Sequence, residues 1–90
     1  MALVKLFGNL RQLAGSSTLN VDGKTVSEIL STLRLQHKSL VDHILDGPNL
    51  RPYYKIMVNG HDVSLAQGLD TPVQEEDVVA IFPPIAGGLE

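Results

Sequence analysis

The chain opens on Leu3-Val4-Lys5-Leu6-Phe7, where one lysine inside an apolar run imposes a period of two, the spacing of a β-strand with one wet and one dry face. Gly8 breaks the run. Asn9 to Leu13 then reads as a helical turn with Asn9 as its cap, and Ser17 to Val21, reached through Gly15, reads as a second strand. The period next becomes helical. Thr25-Val26-Ser27-Glu28 has capping-box spacing, with a hydroxyl for one orphan N–H and a carboxylate reaching back. Val26, Ile29, Leu30 and Leu33 recur at i, i+3, i+4 and i+7, which predicts the main helix, ending near His37.

A weaker helical turn from Leu40 to Leu45 closes at Asp46-Gly47-Pro48. Tyr54 to Val58 is a strand, and Asn59-Gly60 after it is a strong hairpin signal, because a type I′ turn needs positive φ twice. His61 to Val63 returns as a short edge strand. Ser64 to Val73 carries Gly68 and Pro72 and is expected to be irregular, with about one helical turn. Asp77 to Phe82 is nearly all apolar and reads as a central strand. Strands flanking one long helix predict an α+β fold: a mixed five-stranded sheet with one main helix across one face, the first and last strands parallel at the centre.

Strand parity assigns the faces. Lys5 needs water, so Leu3, Lys5 and Phe7 are expected to point away from the helix, with Val4 and Leu6 in the core. Val79 and Ile81 then form the core pair of the last strand, leaving Val78, Ala80 and Phe82 outside with Lys55 and Met57. Both phenylalanines of the chain thus fall on the uncovered face, where an apolar cluster rimmed by charge marks a partner site.

Ninety residues make one domain, assigned to 1–88 with a tail over 83–88. With 43% hydrophobic and 19% charged residues and no apolar run of membrane-span or signal-peptide length, a cytoplasmic protein without a membrane partner is expected. The absence of cysteine removes disulfides, thiolate metal sites and a cysteine nucleophile. A net charge of −3, with the seven lysines and arginines scattered along the chain, argues against nucleic acid. His37, His43 and His61 lack metal-ligand spacing, and no catalytic triad is recognised, so neither a metal nor an active site of the chain's own is expected. Glu75-Glu76-Asp77 reads as a solvated acidic turn.

The end of the chain carries the chemistry. Pro83 and Pro84 fix φ and remove two N–H donors, so the chain leaves the sheet as a stiff strut through Ile85 and Ala86 to Gly87 and Gly88. Six extended residues reach roughly 20 Å, enough to enter another protein's active site. Without Cβ atoms, the two glycines make a thin acyl probe. Leu89-Glu90 reads as the junction with a purification tag, the competing reading being a precursor trimmed back to Gly88.

Val4-Lys5-Leu6-Phe7 with Leu10-Arg11-Gln12-Leu13-Ala14-Gly15, Thr25-Val26, Val58-Asn59-Gly60, and Asp77 through Phe82-Pro83-Pro84-Ile85-Ala86-Gly87-Gly88 together resemble the small sulfur-carrier subunit of molybdopterin synthase and its archaeal ubiquitin-like relatives. The resemblance runs from Val4 to Gly88. It implies a ubiquitin-like β-grasp fold and a non-catalytic cosubstrate that binds no cofactor of its own. It further implies that an E1-like enzyme adenylates the Gly88 carboxylate with ATP, that a sulfur donor converts it to a thiocarboxylate, and that the large synthase subunit accepts the tail and directs sulfur into molybdenum or tungsten cofactor synthesis. Gly87, Ala86, Ile85, Pro84, Pro83, Phe82, Phe7 and Arg11 are the implied partner-binding residues. Two alternatives stay open: a modifier joined through Gly88 to lysines of other proteins, and a β-grasp interaction module without chemistry.

Overall fold

The alternating segment at the start of the chain forms β1 (Ala2–Leu6) and pairs on both sides. β2 (Thr18–Val21) lies antiparallel to it, and β7 (Val78–Phe82) lies parallel with Leu3 opposite Val78, Val4 opposite Val79, Lys5 opposite Ala80 and Leu6 opposite Ile81. β5 (Lys55–Val58) runs antiparallel to β7, and β6 (His61–Asp62) closes the edge, giving a five-stranded mixed sheet in the order β2-β1-β7-β5-β6. This computed structural model describes residues 1–84 of the chain.

Parity is as the sequence predicts. Ala2, Val4, Leu6, Ile56, Val58, Val79 and Ile81 are buried on the inner face of the sheet. Across them lies α2 (Val26–Arg34), whose Val26, Ile29, Leu30 and Leu33 are all buried. Each fully buried Leu or Ile stabilises the fold by roughly 1.5–3 kcal/mol, so this helix-on-sheet contact is the main source of stability. Thr25 Oγ1 accepts the Glu28 N–H at 3.1 Å, while Glu28 Oε1 accepts the Lys24 N–H at 2.9 Å, one residue earlier than a standard capping box.

Three expectations need correction. The main helix stops at Arg34, because His37 begins a separate α3 (Lys38–Ile44) that buries Leu40, Val41 and Ile44. Asn9 precedes α1 (Leu10–Ala14) with helical φ and ψ and makes no side-chain cap, so α1 is held by buried Leu10 and closed by left-handed Gly15. The turn at Gly47-Pro48 joins two short strands, β3 (Leu45–Asp46) and β4 (Asn49–Leu50), in a small separate ladder. Two 3₁₀ turns, Val63–Leu65 and Gly68–Asp70, occupy the irregular stretch.

The Asn59-Gly60 turn has φ of +51° and +83°, as a type I′ hairpin requires. Asn59 also does something its turn propensity does not predict. Its side-chain oxygen accepts the Val78 N–H and its amide donates to Asp77 Oδ1, both at 2.8 Å, so the hairpin is clamped to the start of β7. Asp77 Oδ2 accepts the Gln74 N–H at 2.8 Å, so the acidic turn is not merely solvated; its last carboxylate is a structural acceptor.

The Gln74 N–H, and after it the Asn59 amide, hold the Asp77 carboxyl below its ordinary value of 3.8. A carboxyl depressed in the folded state contributes stability above its unfolded pKa and loses it as pH falls through the lower folded value. The stability lost in Asp77→Ala, measured by urea unfolding, should therefore be constant above about pH 5 and shrink progressively below the ordinary carboxyl value.

Candidate functional site

The uncovered face of the sheet is built in rows across the strands. Lys5, Ala80 and Met57 occupy one row, since Ala80 pairs with both neighbours. In the next, Lys55 lies opposite Phe82, and the parallel ladder continues past Leu6 because the Phe7 N–H donates to Ile81 O at 3.3 Å. Phe7 therefore comes level with Phe82. Their rings stack with centroids 4.4 Å apart and planes 13° from parallel, a contact worth about 0.5–1.5 kcal/mol beyond its buried area. Phe82 is half-buried and Phe7 remains 37% exposed, so the pair is a firm platform that still presents apolar surface.

The register makes the next step unavoidable. One residue further along, Gly8 comes level with Pro83. Gly8 has φ +62°, and a Cβ there would sit 2.8 Å from Pro83 Cγ. The absent side chain is the space in which Pro83 lies, so Phe7-Gly8 holds Phe82-Pro83 by a stacked ring and a close backbone approach. Pro84 follows, exposed.

Beside this platform, Lys55 Nζ lies 3.2 Å from Asp62 Oδ2. The backbone N–H and then the hydroxyl of Ser64, with Lys55 adding to them, hold the Asp62 carboxyl below the usual carboxylate range. Arg11 is exposed on α1, three residues past Gly8, its Nε 3.4 Å from Gly8 O.

The structure thus brings Phe7, Phe82 and Pro83 together, with Arg11 on the adjoining helix. The remaining predicted site residues, Ile85, Ala86, Gly87 and Gly88, and the Leu89-Glu90 pair, lie outside the described residues. Gly8 is the residue of this candidate site that sequence reasoning missed beyond marking a strand end. The signal was present in the parallel pairing of the first and last strands, which aligns Phe7-Gly8 with Phe82-Pro83. Among the described residues no group of three or more His, Asp or Glu side chains is placed to hold a metal ion, and no helix is long and apolar enough to cross a membrane.

A mixed sheet with its main helix packed across one face, and Pro83-Pro84 following its central strand, is the ubiquitin-like β-grasp architecture. The model of the ThiS family matches residues 4–88, and the chain belongs to that family of small ubiquitin-like sulfur carriers. Over 77 residues it is 29% identical to the sulfur carrier protein CysO of Mycobacterium tuberculosis, covering 82% of this chain and 83% of that one. It superposes on small archaeal modifier protein 1 from Methanosarcina acetivorans with a TM-score of 0.88 at 31% identity, covering 97% and 95% of the two chains. It is also similar to a chain of the Amycolatopsis orientalis BexX/CysO complex, with a TM-score of 0.91, 27% identity and coverage of 98% and 100%.

Replacing Gly8 with alanine places a Cβ in a left-handed backbone and against Pro83, at a cost of about 1–2 kcal/mol for the conformation alone. Gly8→Ala should unfold at lower denaturant concentration than wild type, with chemical-shift changes in the Phe7 and Phe82 ring resonances.

Proposed function

We propose that this protein carries sulfur as a thiocarboxylate on Gly88 and delivers it to the large subunit of molybdopterin synthase. The observation that carries the reading is the alignment of Phe7-Gly8 with Phe82-Pro83, which fixes the root of the segment that contains Gly87-Gly88. Membership of the ThiS family supports sulfur carriage, and Phe82-Pro83-Pro84 ahead of the two glycines favours the molybdopterin acceptor.

The chemistry requires a chain ending at Gly88. A carboxylate is a poor electrophile, so an E1-like partner joins it to the α-phosphate of ATP, releasing pyrophosphate and leaving an acyl-adenylate. A donor supplying sulfur at the hydrosulfide level attacks the acyl carbon and expels AMP. The C–O bond to AMP breaks, a C–S bond forms, and the product is the Gly88 thiocarboxylate. The catalytic groups for these steps belong to the partner, and this chain contributes recognition and delivery: the apolar face docks, and the tail places one atom. Arg11 adds a cation for an acidic group of the partner.

A second reading follows from the similarity to small archaeal modifier protein 1. The same acyl-adenylate attacked by a lysine amine gives an isopeptide and expels AMP, so one tail serves either acceptor.

The experiment is loading of a chain ending at Gly88 by an E1-like enzyme with ATP and a sulfur donor, followed by intact mass. A gain of one oxygen-for-sulfur exchange, and turnover with the large synthase subunit, are expected; isopeptide ladders without that gain would replace carriage by modification. Gly88→Val puts a branched side chain at the reacting end and should abolish loading or transfer. Phe82→Ala should weaken binding of the loading enzyme by about 2 kcal/mol while the domain stays folded. Unfolding of that variant would refute Phe82 as a docking residue.

A further inference from the structure

The lysines and arginines that look scattered along the sequence are sorted by the fold. Asp22 follows the strand paired with the start of β1, and Asp77 O accepts the Leu3 N–H at 3.1 Å. The Val26 N–H donates to Thr71 O and the Val73 N–H to Lys24 O, bringing Glu28, Asp70, Glu75 and Glu76 to this same end. Among the described residues, six carboxylates stand there with two cations, Lys24 and the Met1 ammonium, which lies 3.9 Å from Asp22 Oδ1.

The tail end is the reverse. Lys55 lies opposite Phe82, Arg11 is on the helix after Gly8, and the Tyr54 N–H donates to Arg51 O, which sets Arg51 just beyond the start of β5. Asp42 ties Arg34 and Lys38 to Arg51, so that among the described residues five cations stand here with Asp42, Asp46 and Asp62. A chain of net charge −3 thus turns a net positive surface toward whatever receives its tail.

Part of that surface is shallowly recessed. An open groove of about 680 Å³ is lined by Lys38, Ser39, Asp42, His43, Arg51 and Tyr54. Asp42 takes ion pairs from Arg34 Nη2 at 2.6 Å and Lys38 Nζ at 2.9 Å, and its backbone oxygen accepts Arg51 Nε at 3.1 Å. Asp42 therefore gathers three cations, two on its carboxylate and one on its backbone oxygen, and its single negative charge leaves an excess of positive charge. Next to Tyr54, Tyr53 is held at φ +69° and is 84% exposed, an aromatic ring presented to solvent on a backbone conformation that side chains rarely adopt. Tyrosine and arginine together are the residue types that dominate binding energy at protein interfaces.

We propose that this groove is a docking site for an acidic segment, carrying an apolar side chain for Tyr53, on the enzyme that activates the tail. The inference rests on the carrier reading above. It adds a second contact, separate from the Phe7-Phe82 face, that steers and orients the partner by charge.

Loading rate is measured against carrier concentration for the chain ending at Gly88, for the double variant Lys38→Gln/Arg51→Gln, for Tyr53→Ser, and for Lys24→Gln at the opposite end. Asp42 keeps Arg34 in the double variant, and an unchanged melting temperature checks the fold. The double variant should raise the KM for carrier about tenfold at low salt with kcat within about twofold, and the difference should shrink as salt screens the groove. Tyr53→Ser should also raise that KM, without the salt dependence, and Lys24→Gln should leave it unchanged. A wild-type KM in the double variant overturns the inference, as does an effect on the KM for ATP, which would assign the groove to nucleotide. If the wild-type chain is not loaded at all, the carrier reading itself fails and takes the groove with it.

Discussion

Everything in this molecule that points toward function depends on the parallel pairing of its first and last strands. A parallel pair cannot be closed by a tight turn, so the whole intervening chain, helices and hairpin included, is the connection between β1 and β7. The consequence is mechanical. The tail leaves from a central strand hydrogen-bonded on both sides, with Ile81 buried between Leu6 and Ile56, and a pull on Pro83 is resisted by the core and not by an edge.

Two local devices finish what the pairing begins. At the start of β7, Asn59 uses its side chain as a substitute for strand backbone, tying the hairpin to Val78 and Asp77. At its end, the same register that puts Leu6 beside Ile81 puts Phe7 on Phe82 and empties the place of a side chain at Gly8 for Pro83. A thin, reactive end is useful only if its base is fixed relative to the surface the partner grips, because misplacement by about an ångström is costly in a positioned reaction. On the carrier reading proposed above, base and surface are the same pair of residues, Phe7 and Phe82.

Sequence periodicity carried the architecture because the main elements state their period without ambiguity: Lys5 marks the wet face of β1, the stripe from Val26 to Leu33 marks the dry face of α2, and Asn59-Gly60 can serve little but a tight hairpin. What was not legible depends on distant partners. Asn9 looks like a cap, yet α1 is fixed by burial of Leu10. Asp77 looks like part of a soluble turn, and its acceptors are filled by groups far along the chain as well as near. Gly8 carries no local mark of its role, since what it must avoid lies seventy-five residues away at Pro83. The same holds for charge, where a scattered string of cations becomes a polarised surface once the topology brings Arg11, Arg51 and Lys55 to one end.

The central claim, that the root of the tail is as firmly held as the core, is tested most directly by native-state amide hydrogen exchange. The Leu3 N–H, bonded to Asp77 O at 3.1 Å, and the Phe7 N–H, bonded to Ile81 O at 3.3 Å, bracket the two ends of the parallel pair. Both should exchange only through global unfolding, with the same free energy and the same denaturant dependence. Exchange of Phe7 by local fluctuation, orders of magnitude faster than Leu3, would show that the ladder frays where the tail begins and would contradict the account.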